Sequence, residues 1–164
     1  MKYAVTFLLI CVLAGNKLTS QGVDLQNINF SSVRKNSIYF ELLGNGAVYS
    51  FNYDRIVPLK QELALVVRIG GNEYHGISNN RLSWNLIGAA GILVGSRYSF
   101  FETSLGYTHF LREQDRLIIL TGGYRFQGRK GLVFRATPMF IINTETGDTF
   151  GNSLWFGLSL GYSF

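Results

Sequence analysis

From about residue 37 to the last residue, large apolar side chains alternate with small or polar ones. The pattern is plainest at the C-terminus. There Leu154, Phe156, Leu158, Leu160, Tyr162 and Phe164 interleave with Ser153, Trp155, Gly157, Ser159, Gly161 and Ser163. A period of two puts successive side chains on opposite faces of an extended chain, so this segment is a strand between two unlike environments. The same reading predicts eight strands, at 37–44, 47–57, 61–71, 81–94, 97–109, 115–126, 131–142 and 152–164. Turn residues separate them at Gly44-Asn45-Gly46, Val57-Pro58-Leu59, Gly95-Ser96 and Gln127-Gly128. Longer connections fall at 72–80, 110–114 and 143–151. The strands match the about 9–11 residues that a tilted strand needs to cross a bilayer. After the first hairpin, short and long connections alternate, as in outer-membrane barrels with short periplasmic turns, longer external loops and an even strand number. Both termini are then periplasmic, and Gly44–Gly46 is an unusually short first external loop.

The two faces differ in kind. In the third strand Leu63, Leu65, Val67 and Ile69 oppose Ala64, Val66, Arg68 and Gly70. In the fifth, Phe101, Thr103, Leu105 and Tyr107 oppose Phe100, Glu102, Ser104, Gly106 and Thr108. In the seventh, Leu132, Phe134, Ala136, Pro138 and Phe140 oppose Val133, Arg135, Thr137 and Met139. A bulky continuous apolar face opposite a small face with isolated charges suits a barrel with lipid outside and a narrow polar lumen. The lumen-facing charges are Glu41, Asp54 and Glu102 against Arg68, Arg125 and Arg135. Buried charges must pair, which predicts an interior salt-bridge network among these six. Asp54, near a turn, is the member expected to be solvated. Tyr49, Tyr53, Trp84, Tyr107, Tyr124, Phe126, Phe156, Tyr162 and Phe164 fall on the outward face, many toward strand ends, as interfacial aromatics do. Eight strands enclose an interior that side chains can fill, and Tyr39, Phe100, Trp155 and the six charges are available to fill it. The expectation is an all-β, eight-stranded antiparallel transmembrane (outer-membrane) β-barrel with a filled polar lumen, not a pore.

Composition fits this picture. The 164 residues are 47% hydrophobic, 15% aromatic and 15% charged, with 19 glycines, 2 prolines and 1 cysteine. Disorder and a disulfide scaffold are excluded, and no run of 18 apolar residues exists to form a spanning helix. At the N-terminus, Lys2 precedes an apolar stretch from Ala4 to Ala14, then polar residues and Ser20. That is the layout of a secretory signal peptide over 1–20. A lead-in over 21–36 and the barrel over 37–164 follow. Cys11 is not read as a lipid-attachment site, because Ile10 stands where a small residue is needed. Without Lys2 and Lys17 the chain keeps 13 basic and 10 acidic residues, net +3, and no cysteine. The basic residues are scattered, which argues against a nucleic-acid partner.

Candidate chemistry is sparse. His75 is placed with Glu73 and Ser78 in the longest loop, and His109 lies on the opposite face from Glu102 and Ser104. Neither matches the His-x-Ser pair of a lipid A deacylase-like enzyme, which is the alternative reading. A second alternative, an exported soluble lipocalin-like cup, requires the bulky face inward. No metal-ligand spacing and no phosphate-binding loop occur, so no cofactor, metal site or catalytic residue is expected.

The terminal Leu160-Gly161-Tyr162-Ser163-Phe164 resembles the C-terminal signal of bacterial outer-membrane barrels. The resemblance gives Leu160, Tyr162 and Phe164 the role of an assembly signal recognised by the barrel assembly machinery. Ser37-Ile38-Tyr39-Phe40-Glu41-Leu42-Leu43-Gly44-Asn45-Gly46, continuing as Tyr49-Ser50-Phe51-Asn52-Tyr53-Asp54-Arg55, is similar to small outer-membrane β-barrel proteins of the Bacteroidota type. The likeness covers nearly all of the chain after the leader as pattern, and this hairpin as motif. It implies residence in the bacterial outer membrane with lipid as surroundings. It also implies a structural or interaction role among envelope proteins, as an accessory subunit, rather than a reaction.

Overall fold

A computed structural model describes residues 30, 33–75, 82–96, 98–112, 116–143 and 153–164. The leader at 1–20 and most of the lead-in lie outside them. Eight strands follow one another: β1 (Asn36–Leu42), β2 (Tyr49–Pro58), β3 (Leu63–His75), β4 (Leu82–Ser96), β5 (Ser99–Phe110), β6 (Arg116–Gln127), β7 (Leu132–Asn143) and β8 (Ser153–Ser163). Each pairs antiparallel with the next, and β8 pairs antiparallel with β1 from Ser37↔Ser163 to Leu42↔Leu158, closing the barrel. Closure removes the unpaired edges an open sheet would expose. The β6–β7 ladder is broken between the Thr121↔Met139 and Tyr124↔Ala136 pairs, opposite Thr137 and Pro138. Proline has no N–H to give to the ladder there.

Polarity is inverted relative to a water-soluble barrel. Phe51, Ile69, Leu105, Leu154 and Leu160 are among the large apolar residues on the outside, each about three-fifths exposed. Inside lie six charged side chains and two apolar clusters. Phe30, Ile56, Ala64, Val66, Leu93 and Phe100 pack at the end that carries the termini and short turns, here the terminal end. Phe110, Leu117, Ile119, Met139 and Ile141, joined by Tyr74 and Trp155, pack at the loop end. The lumen is filled as expected, and its buried charges are confined to the middle, between the two apolar clusters.

Three departures from the sequence reading have local causes. β3 runs to His75 rather than ending at residue 71, so Glu73 and His75 pair with Trp84 and Leu82 instead of sitting in a loop. Gly70 and Gly71 do not stop the strand, because the alternation resumes beyond them with Asn72 buried in the lumen. Ser78 lies outside the described residues. The first hairpin is not a tight turn at 44–46. β1 ends at Leu42 and a loop over 43–48 bends inward, with Leu43 (φ 51°) and Ala47 (φ 67°) in the left-handed region. Residue 30 of the lead-in is part of the barrel interior: the Phe30 ring stacks on Phe100 at 5.4 Å between centroids.

Candidate functional site

The lumen gathers the chemistry of the molecule, and alternation positions it. Glu41, Asp54, Arg68, Glu102, Arg125 and Arg135 occupy inward positions of β1, β2, β3, β5, β6 and β7, each no more than 3% exposed. They form one connected set. Glu102 accepts hydrogen bonds from Arg135 Nη2 at 2.6 Å, Arg68 Nη2 at 2.7 Å and Arg125 Nη1 at 3.3 Å. Asp54 takes both ends of the Arg125 guanidinium, at 2.7 and 3.2 Å. Arg135 Nη1 approaches Glu41 Oε1 at 3.8 Å, too far for a hydrogen bond, so Glu41 joins the set by charge rather than by contact. The carboxylate of Glu41 is instead held by Asn45 N at 3.0 Å, Ser50 Oγ at 3.3 Å and Ser159 Oγ at 3.4 Å.

Asp54 is the correction. It is not the solvated member but among the most buried, because the turn after β2 lies beyond Pro58 and because Arg125 reaches across the lumen to it. Residues without charge complete the arrangement; alternation placed Tyr39 in the lumen but did not show its cation partners. Arg68 and Arg135 stand 5.5 and 5.0 Å from the centroid of the Tyr39 ring, so that one aromatic ring serves two cations. Arg125 also donates to Ser37 Oγ and Gln127 Oε1, and Gln127 Nε2 donates to the Arg34 carbonyl, tying the lead-in to the network.

Above the ionic layer the 43–48 loop plugs the lumen. Thr108 Oγ1 donates to the Asn45 carbonyl at 2.9 Å and Asn85 Nδ2 to the Gly46 carbonyl at 3.4 Å. The loop also fills a low point in the wall. β8 residues 153–157 and β3 residues 72–75 extend past the last pairs that β1 and β2 make with them, Leu42↔Leu158 and Phe51↔Gly71. Tyr49 Oη covers one of the freed carbonyls, that of Glu73, at 2.7 Å.

Of the remaining sequence candidates, the His75 side chain and Ser78 lie outside the described residues, and His109 does not converge with its candidate partners. His109 faces outward against Tyr107, away from Glu102 and Ser104 in the lumen. Among the described residues no group of His, Cys, Asp and Glu side chains is placed to hold a metal ion. Leu160 and Tyr162 are outward on β8 opposite Phe40 and Ile38, and Phe164 exchanges backbone hydrogen bonds with Asn36 just beyond it. The arrangement neutralises charge, fills the interior and joins distant strands; it offers no exposed reactive group. No family model, curated protein or solved structure matches the chain.

Proposed function

We propose that this chain is a bacterial outer-membrane protein, exported by its leader, that spans the bilayer as a solute-tight barrel. Its role is structural or interactive, as an accessory subunit of an envelope assembly. The observation that carries the reading is the inverted polarity: a bulky apolar exterior around an interior that holds six buried, mutually opposed charges. In water such an exterior is a very large apolar patch, far beyond what soluble monomers expose. In lipid it is the ordinary outer surface of a barrel. A ligand-binding cup needs the opposite polarity, and a channel needs a lumen that ion pairs and a folded-in loop do not occupy. Small outer-membrane barrels of the Bacteroidota type, which the first hairpin and terminal strand resemble, are the family we propose for it. Envelope proteins are the partners this role calls for, met at the loop end, and the assembly machinery acts on Leu160, Tyr162 and Phe164.

The test is cell fractionation followed by gel electrophoresis with and without boiling. The protein is expected in the outer-membrane fraction and to shift mobility on boiling, as a detergent-resistant barrel does. Recovery as a soluble periplasmic protein with no shift would overturn the reading.

A further inference from the structure

Resting on that membrane reading, we propose that the outside of the barrel carries a binding site for an anionic glycerophospholipid of the leaflet at the terminal end. A groove of about 880 Å³ runs over the outer surface of β8, β1, β2, β3 and β4. It exists because Gly71 puts no side chain on the outward face between its partners Phe51 and Leu86. Ile69, next on that face of β3, lies 62% exposed along its length. Its volume falls within the about 300–1,000 Å³ of ordinary ligand sites, and its walls are almost wholly apolar. Ile38 sits at its lower end between Tyr53 and Tyr162.

Charge marks which end of a ligand lies where. The two tyrosine hydroxyls at that lower lip are fixed: Tyr53 donates to Asn36 Oδ1 and Tyr162 accepts from Arg34 Nη1, both at 2.9 Å. Directly below lie Arg34, exposed Lys35, and exposed Arg55, which pairs in register with Asn36. Lys60, Arg129 and Lys130 extend the basic rim, against Glu62. Among the described residues none of these six cations belongs to an ion pair. An apolar furrow that ends at unpaired guanidinium and ammonium groups is complementary to an acyl chain leading to a phosphodiester. The tight turns mark this end as periplasmic, so the occupant is a phospholipid of the inner leaflet.

The probes are phosphatidylglycerol and phosphatidylcholine of equal chain length, offered together to the full-length protein folded in detergent and read by native mass spectrometry. Wild type is expected to retain phosphatidylglycerol about tenfold more than phosphatidylcholine. Arg34→Gln, Lys35→Gln and Arg55→Gln combined should abolish the preference, while Arg129→Gln with Lys130→Gln should leave most of it. Ile38→Trp, which fills the lower end of the groove and keeps the rim, should reduce retention of both lipids. Equal retention of the two lipids by wild type overturns the proposal. So does a preference that survives the triple substitution, an Ile38→Trp variant that binds like wild type, or a groove occupied by a second copy of the chain. Each variant is checked for the boiling-dependent gel shift. If the triple variant does not fold, Arg55→Gln alone is used, since the exposed Arg55 side chain makes no bond among the described residues, and an undiminished preference then counts against the site. A wild-type protein that shows no shift fails the membrane reading instead, before any lipid is added.

Discussion

Glu102 meets three guanidinium groups and is almost completely enclosed, so its loss is not shared with solvent. Glu102→Gln leaves Arg68, Arg125 and Arg135 facing only Asp54 and Glu41. The expected cost is about 3–5 kcal/mol, because an unmatched charge then stays buried. Arg129→Leu, in an exposed turn, is expected to change stability by no more than about 0.5 kcal/mol. Urea unfolding in phospholipid vesicles, followed by tryptophan fluorescence, compares the two, and equal effects would show that the network does not hold the barrel. Adding Arg135→Met to Glu102→Gln should cost less than the two single losses together, since it restores charge balance. The six charged positions were legible from sequence because a charge on the small face of a period-two strand has nowhere to go but the lumen. Their partners were not. Asp54 and Arg125 are 71 positions apart and meet only across a closed barrel.

At the level of elements, the first loop and the lead-in depart most from what alternation reveals. Gly44-Asn45-Gly46 reads locally as a tight turn, yet the contacts that draw the loop inward come from Asn85 and Thr108, 39 and 63 positions away. Phe30 stands in a polar stretch with no period to mark it, and only the apolar base of the lumen gives it a place. The third strand runs past its predicted end at residue 71, because backbone pairing continues through Gly70 and Gly71 without side chains. The strand segments themselves were legible to within a few residues, since each has lipid-like and lumen-like faces throughout. Phe30, 1% exposed and stacked on Phe100, lets the lead-in be tested. Phe30→Ala is expected to cost about 3–5 kcal/mol in the same unfolding measurement, the usual loss for a buried phenylalanine. A neutral result would mean that the lead-in is not part of the folded core.

For the molecule as a whole, three lumen layers lie in series: an apolar base, an ionic middle and an apolar top crossed by the 43–48 loop. Among the described residues, side chains and the loop occupy each layer, and an eight-stranded barrel is narrow enough for side chains to close it. Planar-bilayer recordings of the purified protein are therefore expected to show no steady single-channel conductance. A stable open level would refute the plug. The apolar layers were the least legible feature at this scale. Ile119 and Ile141 break the simple rule of bulky outside and small inside; only their phase with Arg125 and Met139 marks them as inward, and their packing together shows why they are apolar.

The distribution of the six charges along the chain also bears on how the barrel is put together. The β1–β2 hairpin brings only Glu41 and Asp54, two negative charges, to the inner surface. The sheet from β3 to β8 brings Arg68, Arg125 and Arg135 against Glu102, a surplus of two positive charges. Neither part is neutral by itself. Zipping the β1–β8 seam is thus the same event as cancelling the internal charge, and a half-made barrel carries an electrostatic pull toward its own completion. Raising ionic strength should slow insertion and folding into vesicles, where the approaching surfaces are still wet. It should leave the unfolding rate of the finished barrel unchanged, because dry ion pairs are screened very little. The ring is latched by its first hairpin.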